Sequence, residues 1–188
     1  DDTFTGGEGV DRAYVLTDDD MNIDLATSEI EYVKSNEGDD VLDASSSSAN
    51  TSIYGQGGAD NIDGGSGIDR LYGGNDNDDI DGGAGNDKLY GGDGADQLYG
   101  GEGNDYLYID SDDTVYDGGA GTDRLYVNST AAVNLDLSSV NIEWAQANAG
   151  DDTLDASSAT ENVALYGKAG ADTLTGGSGI DKLYGGDD

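Results

Sequence analysis

Large aliphatic residues recur every nine positions through the middle of the chain, at Ile62, Leu71, Ile80, Leu89, Leu98 and Leu107, and again at Leu125 after Tyr116 takes one place. The polar pattern around them recurs with few departures. A loop with Gly at its first, second and fourth places and Asp at its sixth leads into a three-residue segment with the aliphatic at the eighth. Side chains alternate along a strand, so residues at the seventh and ninth places point away from the eighth. One inward residue per short strand, repeated in register between tight turns, predicts an all-β fold, a stacked parallel solenoid. Two nines per coil would set residues 18 apart above one another, roughly 4.8 Å distant. Helix is excluded in the array by the glycine density and by the lack of a 3.6-residue period.

The nines run without a gap from 55 to 126 and resume over 167–184, with Gly185 opening another. A longer period of 112 residues overlies them: segment 6–76 aligns without gaps onto 118–188, GGSGIDRLYGG matching GGSGIDKLYGG. The expected organisation is the end of a preceding array (1–14), a β-strand spacer or cap (15–54), a roll (55–126), a second spacer (127–166) and the start of a second roll (167–188). In the spacers Met21, Ile23 and Leu25 alternate with polar residues, as do Val133, Leu135 and Leu137. Ile30 and Tyr32 recur as Ile142 and Trp144. These read as larger coils with fuller cores. The chain begins and ends inside a repeat, as a segment of something longer would, and Asp1-Asp2-Thr3 opens no visible signal peptide.

Composition sharpens the problem. Leu, Ile, Val and Phe make up only about 18% of the chain, and 41 Asp and Glu against 7 Lys and Arg give a formal net charge of -34. Such a chain cannot build an ordinary apolar core and would stay disordered unless something positive orders it. A disordered acidic linker, however, needs no nine-residue register. Without Cys, disulfides and thiol nucleophiles are excluded; without His, so are histidine general bases and the usual zinc sites. The acidic surface argues against nucleic acid as a partner. No apolar run approaches the ~18 residues of a membrane span, so no membrane insertion is expected.

The loop chemistry points to a cation. Stacked coils bring sixth-place aspartates together, and two carboxylates ~4 Å apart repel by about 4 kcal/mol at an effective dielectric of 20. A hard dication between them converts that repulsion into binding. Calcium takes six to eight oxygens from carboxylates and backbone carbonyls. Glycine lets the loop bend through positive φ and brings its carbonyls close.

These nonapeptides resemble the RTX, or hemolysin-type, calcium-binding repeat G-G-x-G-x-D-x-U-x, a known β-helix motif. The resemblance covers 55–126 and 167–188, with a further copy at 6–14. It implies a right-handed parallel β-roll with calcium between adjacent loops, type I secretion, and a chain that folds outside the cell. Its metal-binding aspartates fall on Asp60, Asp69, Asp78, Asp87, Asp96, Asp105 and Asp123, then Asp172 and Asp181, with Asp11 at the start. Carbonyl ligands are expected from Gly55, Gly57, Gly64, Gly73, Gly82, Gly91, Gly100, Gly118, Gly167 and Gly176. In the spacers Asp40 would pair with Asp60 and Asp152 with Asp172, 20 apart, so that the preceding coil carries two extra residues. Roughly eight ions would bring about +16 of charge. Several loops depart from the motif. Gln56 and Lys168 replace the second Gly, and Asp76 the fourth. Segment 109–117 lacks every loop Gly and has Thr114 at the Asp place, leaving Asp112 or Asp113 in a shifted register, or no site there.

The outward residues differ between the two sides. One carries Tyr54, Tyr72, Tyr90, Tyr108 and Tyr126 at the ninth place, with Arg70, Lys88, Tyr106 and Arg124 at the seventh. The other is mainly acidic: Asp63, Asp79, Asp81 and Asp117 among Asn61, Gln97, Tyr99 and Val115. Stacked tyrosines shielding short strands account for this, and so does lateral association with an acidic face or a surface glycan. Two functions follow. One is a calcium-binding structural module of a secreted or cell-surface repeat protein, such as an adhesin, surface layer or filament, with self-association into filaments or layers. The other is a C-terminal secretion and folding module of an exported enzyme or toxin. The segment itself is not expected to be an enzyme, since its acidic pairs are already accounted for as ligands.

Overall fold

The computed structural model describes residues 5–17 and 19–187; residues 1–4, Asp18 and Asp188 of the segments delimited above lie outside the described residues. The fold is a parallel β-solenoid of about ten turns. One side is a continuous ten-stranded sheet. Its strands are Arg12–Tyr14, Tyr32–Lys34, Ser52–Gln56, Arg70–Asn75, Lys88–Asp93, Tyr106–Ile109, Arg124–Val127, Trp144–Gln146, Ala164–Ala169 and Lys182–Asp187. The other side is a six-stranded sheet running from Asn22–Asp24 to Val115–Asp117, followed by a three-stranded sheet of Asn134–Asp136, Thr153–Asp155 and Thr173–Thr175.

Coil length is read from the register. In the array, Ser52 pairs with Arg70, Arg70 with Lys88, Lys88 with Tyr106 and Tyr106 with Arg124, each 18 residues on. In the spacers Arg12 pairs with Tyr32, Tyr32 with Ser52, Arg124 with Trp144 and Trp144 with Ala164, each 20 residues on. On the ten-stranded side the chain therefore climbs one strand spacing per coil, and each spacer coil spends two more residues than a coil of the array.

The middle residue of each strand points inward. Val33, Ile53, Leu71, Leu89, Leu107, Leu125 and Leu165 stand in one column; Leu42, Ile62, Ile80, Leu98 and Leu154 stand in the facing one, all fully buried. Tyr116 takes the corresponding place in segment 109–117 and is buried too. Fully burying such an aliphatic side chain is worth about 1.5–3 kcal/mol, and the array has one per strand. The spacers add Val15, Leu25 and Ile30 in one case and Val133, Leu137, Ile142 and Val163 in the other. Strand alternation in the first spacer stops at Asp24, because Leu25–Ser28 forms one helical turn capped by the Asp24 side chain.

At the boundary of the second spacer the acidic side is interrupted. The six-stranded sheet ends at Val115–Asp117, and Gly118 N–H donates to the Val140 carbonyl while Asn141 Nδ2 donates to Asp117. Among the described residues no helix is long and apolar enough to cross a membrane.

Candidate metal centre

The sixth-place aspartates form two ladders, one in each turn of the coil: Asp60, Asp78 and Asp96 lead into the six-stranded sheet, and Asp69, Asp87, Asp105 and Asp123 into the ten-stranded sheet. Each backbone N–H in a ladder donates to the carboxylate of the next coil: Asp60 to Asp78 at 2.9 Å, Asp78 to Asp96 at 2.9 Å, Asp69 to Asp87 at 2.7 Å, Asp87 to Asp105 at 2.8 Å and Asp105 to Asp123 at 2.7 Å. In the spacers Asp40 N–H reaches Asp60 and Asp152 N–H reaches Asp172, both 20 residues on. Every one of these bonds uses the Oδ1 atom, and the ladder aspartates of the array are 0–2% exposed. Buried polar atoms are almost always hydrogen-bonded, yet the Oδ2 atoms of Asp11, Asp60, Asp69, Asp78, Asp87, Asp96, Asp105, Asp123, Asp152 and Asp172 are buried without a hydrogen-bond partner.

The first-place glycines explain where those oxygens sit. A Cβ on Gly73 would lie 2.1 Å from Asp78 Oδ2 and 2.7 Å from the Gly91 carbonyl oxygen of the next coil. At Gly55 the same point lies 2.0 Å from Asp60 Oδ2 and 2.7 Å from the Gly73 oxygen; at Gly167 it lies 2.1 Å from Asp172 Oδ2 and 2.7 Å from the Gly185 oxygen. On the other turn, Gly64 meets Asp69 Oδ2 and Gly82 O, Gly82 meets Asp87 Oδ2 and Gly100 O, and Gly100 meets Asp105 Oδ2 and Gly118 O. Each cradle thus joins an unpartnered carboxylate oxygen to a carbonyl oxygen of the next coil, and only a residue without a side chain leaves it open. A Cβ on Gly91 or Gly176 would likewise meet Oδ2 of Asp96 or Asp181, and Asp181 Oδ1 accepts from Val163 N–H. Gly57 lies apart, with its N–H on the Asn36 carbonyl and its missing Cβ beside Glu37.

The ends of the array are built from residues outside the motif. Asp11 N–H donates to Glu31 and Asp123 N–H to Glu143, so a glutamate takes the ladder place 20 residues on. The carbonyl in these two cradles comes from Glu29 beside Gly6 and Asn141 beside Gly118, and both residues hold left-handed φ values of 53° and 50°. The only sequence signal for them was their 112-residue spacing. Segment 109–117 joins the ladder through Asp113, whose Oδ1 accepts from Asp96 N–H 17 residues earlier. Its Oδ2 is occupied by Asp110 N–H, and Ile109 stands where the loop glycine would be. Gln56 and Lys168 adopt φ values of 83° and 85°, and Asp76 one of 71°, so these three residues follow the glycine path at a cost in backbone strain.

Asp40 also stands apart. The Ser35 hydroxyl, at the place of the missing loop glycine, donates to Asp40 Oδ2 and lies 2.9 Å from the Gly55 carbonyl oxygen. A side-chain O–H therefore fills in this coil the space between carboxylate and carbonyl that the array leaves open.

Burial governs the ladder's protonation. It pushes Asp60, Asp87 and Asp123 up to about 7 and Asp78 up to about 8, against the N–H donated by the preceding aspartate, and neighbouring carboxylates add to the rise. Asp113 is pushed up to about 6, and Asp69, Asp96 and Asp105 are raised in the same direction by burial. A row of desolvated like charges needs either protons or a cation.

The donor set fits calcium. Among the described residues no group of three or more acidic side chains converges on one point. A cation here would therefore be held by one or two carboxylates and several backbone carbonyls, the all-oxygen mixture that calcium accepts. The family model described as RTX calcium-binding nonapeptide repeat (4 copies) matches residues 54–89, 72–107, 81–116, 141–159 and 165–188. No curated protein and no solved structure matches the chain. The matched segments together span more than half of the sequence and contain the cradle glycines and aspartates from Gly55 to Asp105 and from Gly167 to Asp181; the chain belongs to the RTX calcium-binding nonapeptide repeat family.

Proposed function

We infer that this calcium-binding module is a structural segment of a secreted or cell-surface repeat protein, an adhesin, surface layer or filament, and that it folds when calcium becomes available outside the cell. The observation that carries the reading is the row of buried, unpartnered Oδ2 atoms, most of them beside a carbonyl oxygen of the next coil. Bound calcium would supply the positive charge and the hard centre that such oxygens lack. The protein's own contribution is geometric: glycines keep the cradles open, and the N–H ladder aims one oxygen of each carboxylate into them.

Metal binding and folding are one process here. The two halves of a cradle lie on successive coils, so the cradle exists only when those coils stack. Sites suited to the extracellular medium bind calcium at around 0.1–1 mM, far above cytosolic concentrations. The reading includes roughly eight ions, with the cradles of Asp60, Asp69, Asp78, Asp87, Asp105, Asp123 and Asp172 as the best formed. It also includes that the segment is not an enzyme, supported by ladder carboxylates closed off between coils where no substrate reaches them. The alternative role, a folding module on an exported enzyme or toxin, rests on the same cradles; the 112-residue tandem period favours the structural role because such repeats build length.

Calcium titration followed by circular dichroism and small-angle scattering, with magnesium as control, tests the reading. The expected result is an expanded, strand-poor chain in chelator and a compact rod in millimolar calcium. A strand signal indifferent to chelator would overturn it.

A further inference from the structure

We propose that the ten-stranded face of one molecule docks on the acidic face of a second copy of this chain. This deepens the structural reading above and rests on it, because both faces are assembled only when the coils stack.

The first observation is charge segregation. All seven Lys and Arg of the sequence lie in strands of the ten-stranded sheet: Arg12, Lys34, Arg70, Lys88, Arg124, Lys168 and Lys182. The opposite sheets carry Asp24, Asp43, Asp63, Asp79, Asp81, Asp117, Asp136 and Asp155 at outward positions, and no Lys or Arg among the described residues. Relief of repulsion within a single molecule would be served better by cations interleaved with those aspartate rows. Segregation instead leaves each acidic row repulsive in its own molecule and complementary to the far side of a neighbour.

The second observation is that both faces are fixed in place. On the cationic side an aromatic column runs the length of the solenoid. Tyr54, Tyr72, Tyr90 and Tyr108 stack nearly parallel with centroids 4.3–4.5 Å apart. Tyr14 and Tyr32 extend the column at one end, and Tyr126, Trp144, Tyr166 and Tyr184 at the other. In each spacer the ring moves from the ninth place to the seventh, as Tyr32 and Trp144, and the column stays unbroken. Arg124 and Lys88 lie over Tyr106 at 5.1 and 5.4 Å, which holds their charges against the face. On the acidic side Asp43, Asp81, Asp117, Asp136 and Asp155 each accept the N–H two residues on, at 2.8–3.0 Å, which orients the carboxylate rows. These contacts reduce the side-chain entropy lost when the faces meet.

The third is geometry. Both faces belong to the same coils and share one axial repeat, so the cations, which stand in seven of the ten strands, keep the same spacing as the acid rows. Pairing unlike faces is heterologous and does not close, which makes it the route to a layer or fibre rather than a dimer. Ten strands at about 4.8 Å, each about 10 Å across, offer roughly 450 Å² per partner. That is below the ~800 Å² per partner of a standard stable interface. Association of this segment is therefore weak, salt-sensitive, and additive along a longer repeat.

The test is sedimentation of the calcium-loaded chain over a concentration series to about 1 mM, at low and high salt, with circular dichroism in calcium as the folding readout. One variant reverses the cationic face (Arg70→Glu, Lys88→Glu, Arg124→Glu) and one the acidic face (Asp63→Lys, Asp79→Lys, Asp81→Lys). Wild type should associate at low salt and dissociate at high salt. Each variant alone should associate at least tenfold more weakly, and a mixture of the two should recover association. The neutral changes Arg70→Gln and Lys88→Gln carry the test if a reversed variant loses its calcium-induced strand signal. A monomeric wild type throughout, association unchanged in the variants, or failure of the mixture to recover overturns the proposal. So does a wild type that stays monomeric and binds an anionic or neutral polysaccharide through the tyrosine face. Loss of calcium-induced folding in the wild type itself would instead sink the functional reading beneath it.

Discussion

Replacing Gly73 by alanine tests the cradle with a single methyl group. The added carbon would lie 2.1 Å from Asp78 Oδ2 and 2.7 Å from the Gly91 carbonyl oxygen, so at least one must retreat by about 1 Å. Gly73 does not hold a left-handed φ, so alanine costs nothing in the backbone itself and the effect comes from the displaced oxygens. A site at tenfold its dissociation constant contributes about 1.4 kcal/mol, and at a hundredfold about 2.7; overpacking adds about 1–3 kcal/mol. The expected loss is about 2–5 kcal/mol, or roughly 5–15 °C in melting temperature for a domain of this size. Calorimetric titration should count one calcium fewer. The deficit in stability should also widen as calcium is raised, by about 1.4 kcal/mol per decade, because wild type keeps gaining from a site the variant lacks. A purely steric defect would give a constant deficit. Gly185→Ala is the matched control: it stands at the same place in the motif, with nothing within 4 Å of its missing Cβ. If Gly73→Ala binds the full complement of ions and melts with wild type, the cradle is not where calcium sits.

Two further outcomes follow. Ser35→Gly removes the hydroxyl that fills the Asp40 and Gly55 cradle and should add one calcium per chain by titration; an unchanged stoichiometry would show that coil cannot host a cation even when opened. In the metal-free chain, burial raises Asp60, Asp87 and Asp123 to about 7 and Asp78 to about 8 from an ordinary 3.8. The folded form therefore holds protons more tightly than the unfolded one, and the stability they confer is present below pH ~4 and lost as pH rises through 7–8. Strand signal in chelator should rise on acidification from pH 8 to 5.5, and calcium addition at pH 6 to 7 should release protons measurable by pH-stat; a metal-free signal that falls on acidification contradicts the assignment.

The parts of this molecule that were legible in the sequence are those in which each coil repeats its neighbour. A nine-residue register states the strand, the turn and the inward residue at once. The parallel solenoid and the columns through Leu71, Leu89 and Leu107 could thus be read from the residues alone. The sixth-place aspartates were legible for the same reason. In the spacers the 20-residue step from Asp40 to Asp60 and from Asp152 to Asp172 was legible, but the other ligating positions were not, because the longer coil keeps the strand register while changing the loop. There the ladder passes to Glu31 and Glu143, one methylene longer than aspartate, and the carbonyl comes from Glu29 and Asn141, neither of which looks like a loop glycine. Tyr32 and Trp144 change rows for the same reason.

Segment 109–117 separates the two requirements that the motif normally satisfies together. Asp113 keeps the N–H ladder intact, accepting from Asp96 at 2.7 Å, and Tyr116 keeps the core column filled. The coil therefore stacks without any loop glycine. What it lacks is the open cradle: Ile109 brings a side chain to the first place, and Asp110 N–H takes the second carboxylate oxygen. Stacking needs an acceptor and an apolar residue, and many sequences supply those. Glycine at the first place serves no stacking purpose that Ile109 does not also serve. Its recurrence at Gly55, Gly64, Gly73, Gly82, Gly91, Gly100 and Gly118 is explained by what must fit beside it. At Ser35 a hydroxyl occupies that space, and the Asp40 carboxylate is satisfied by the protein itself.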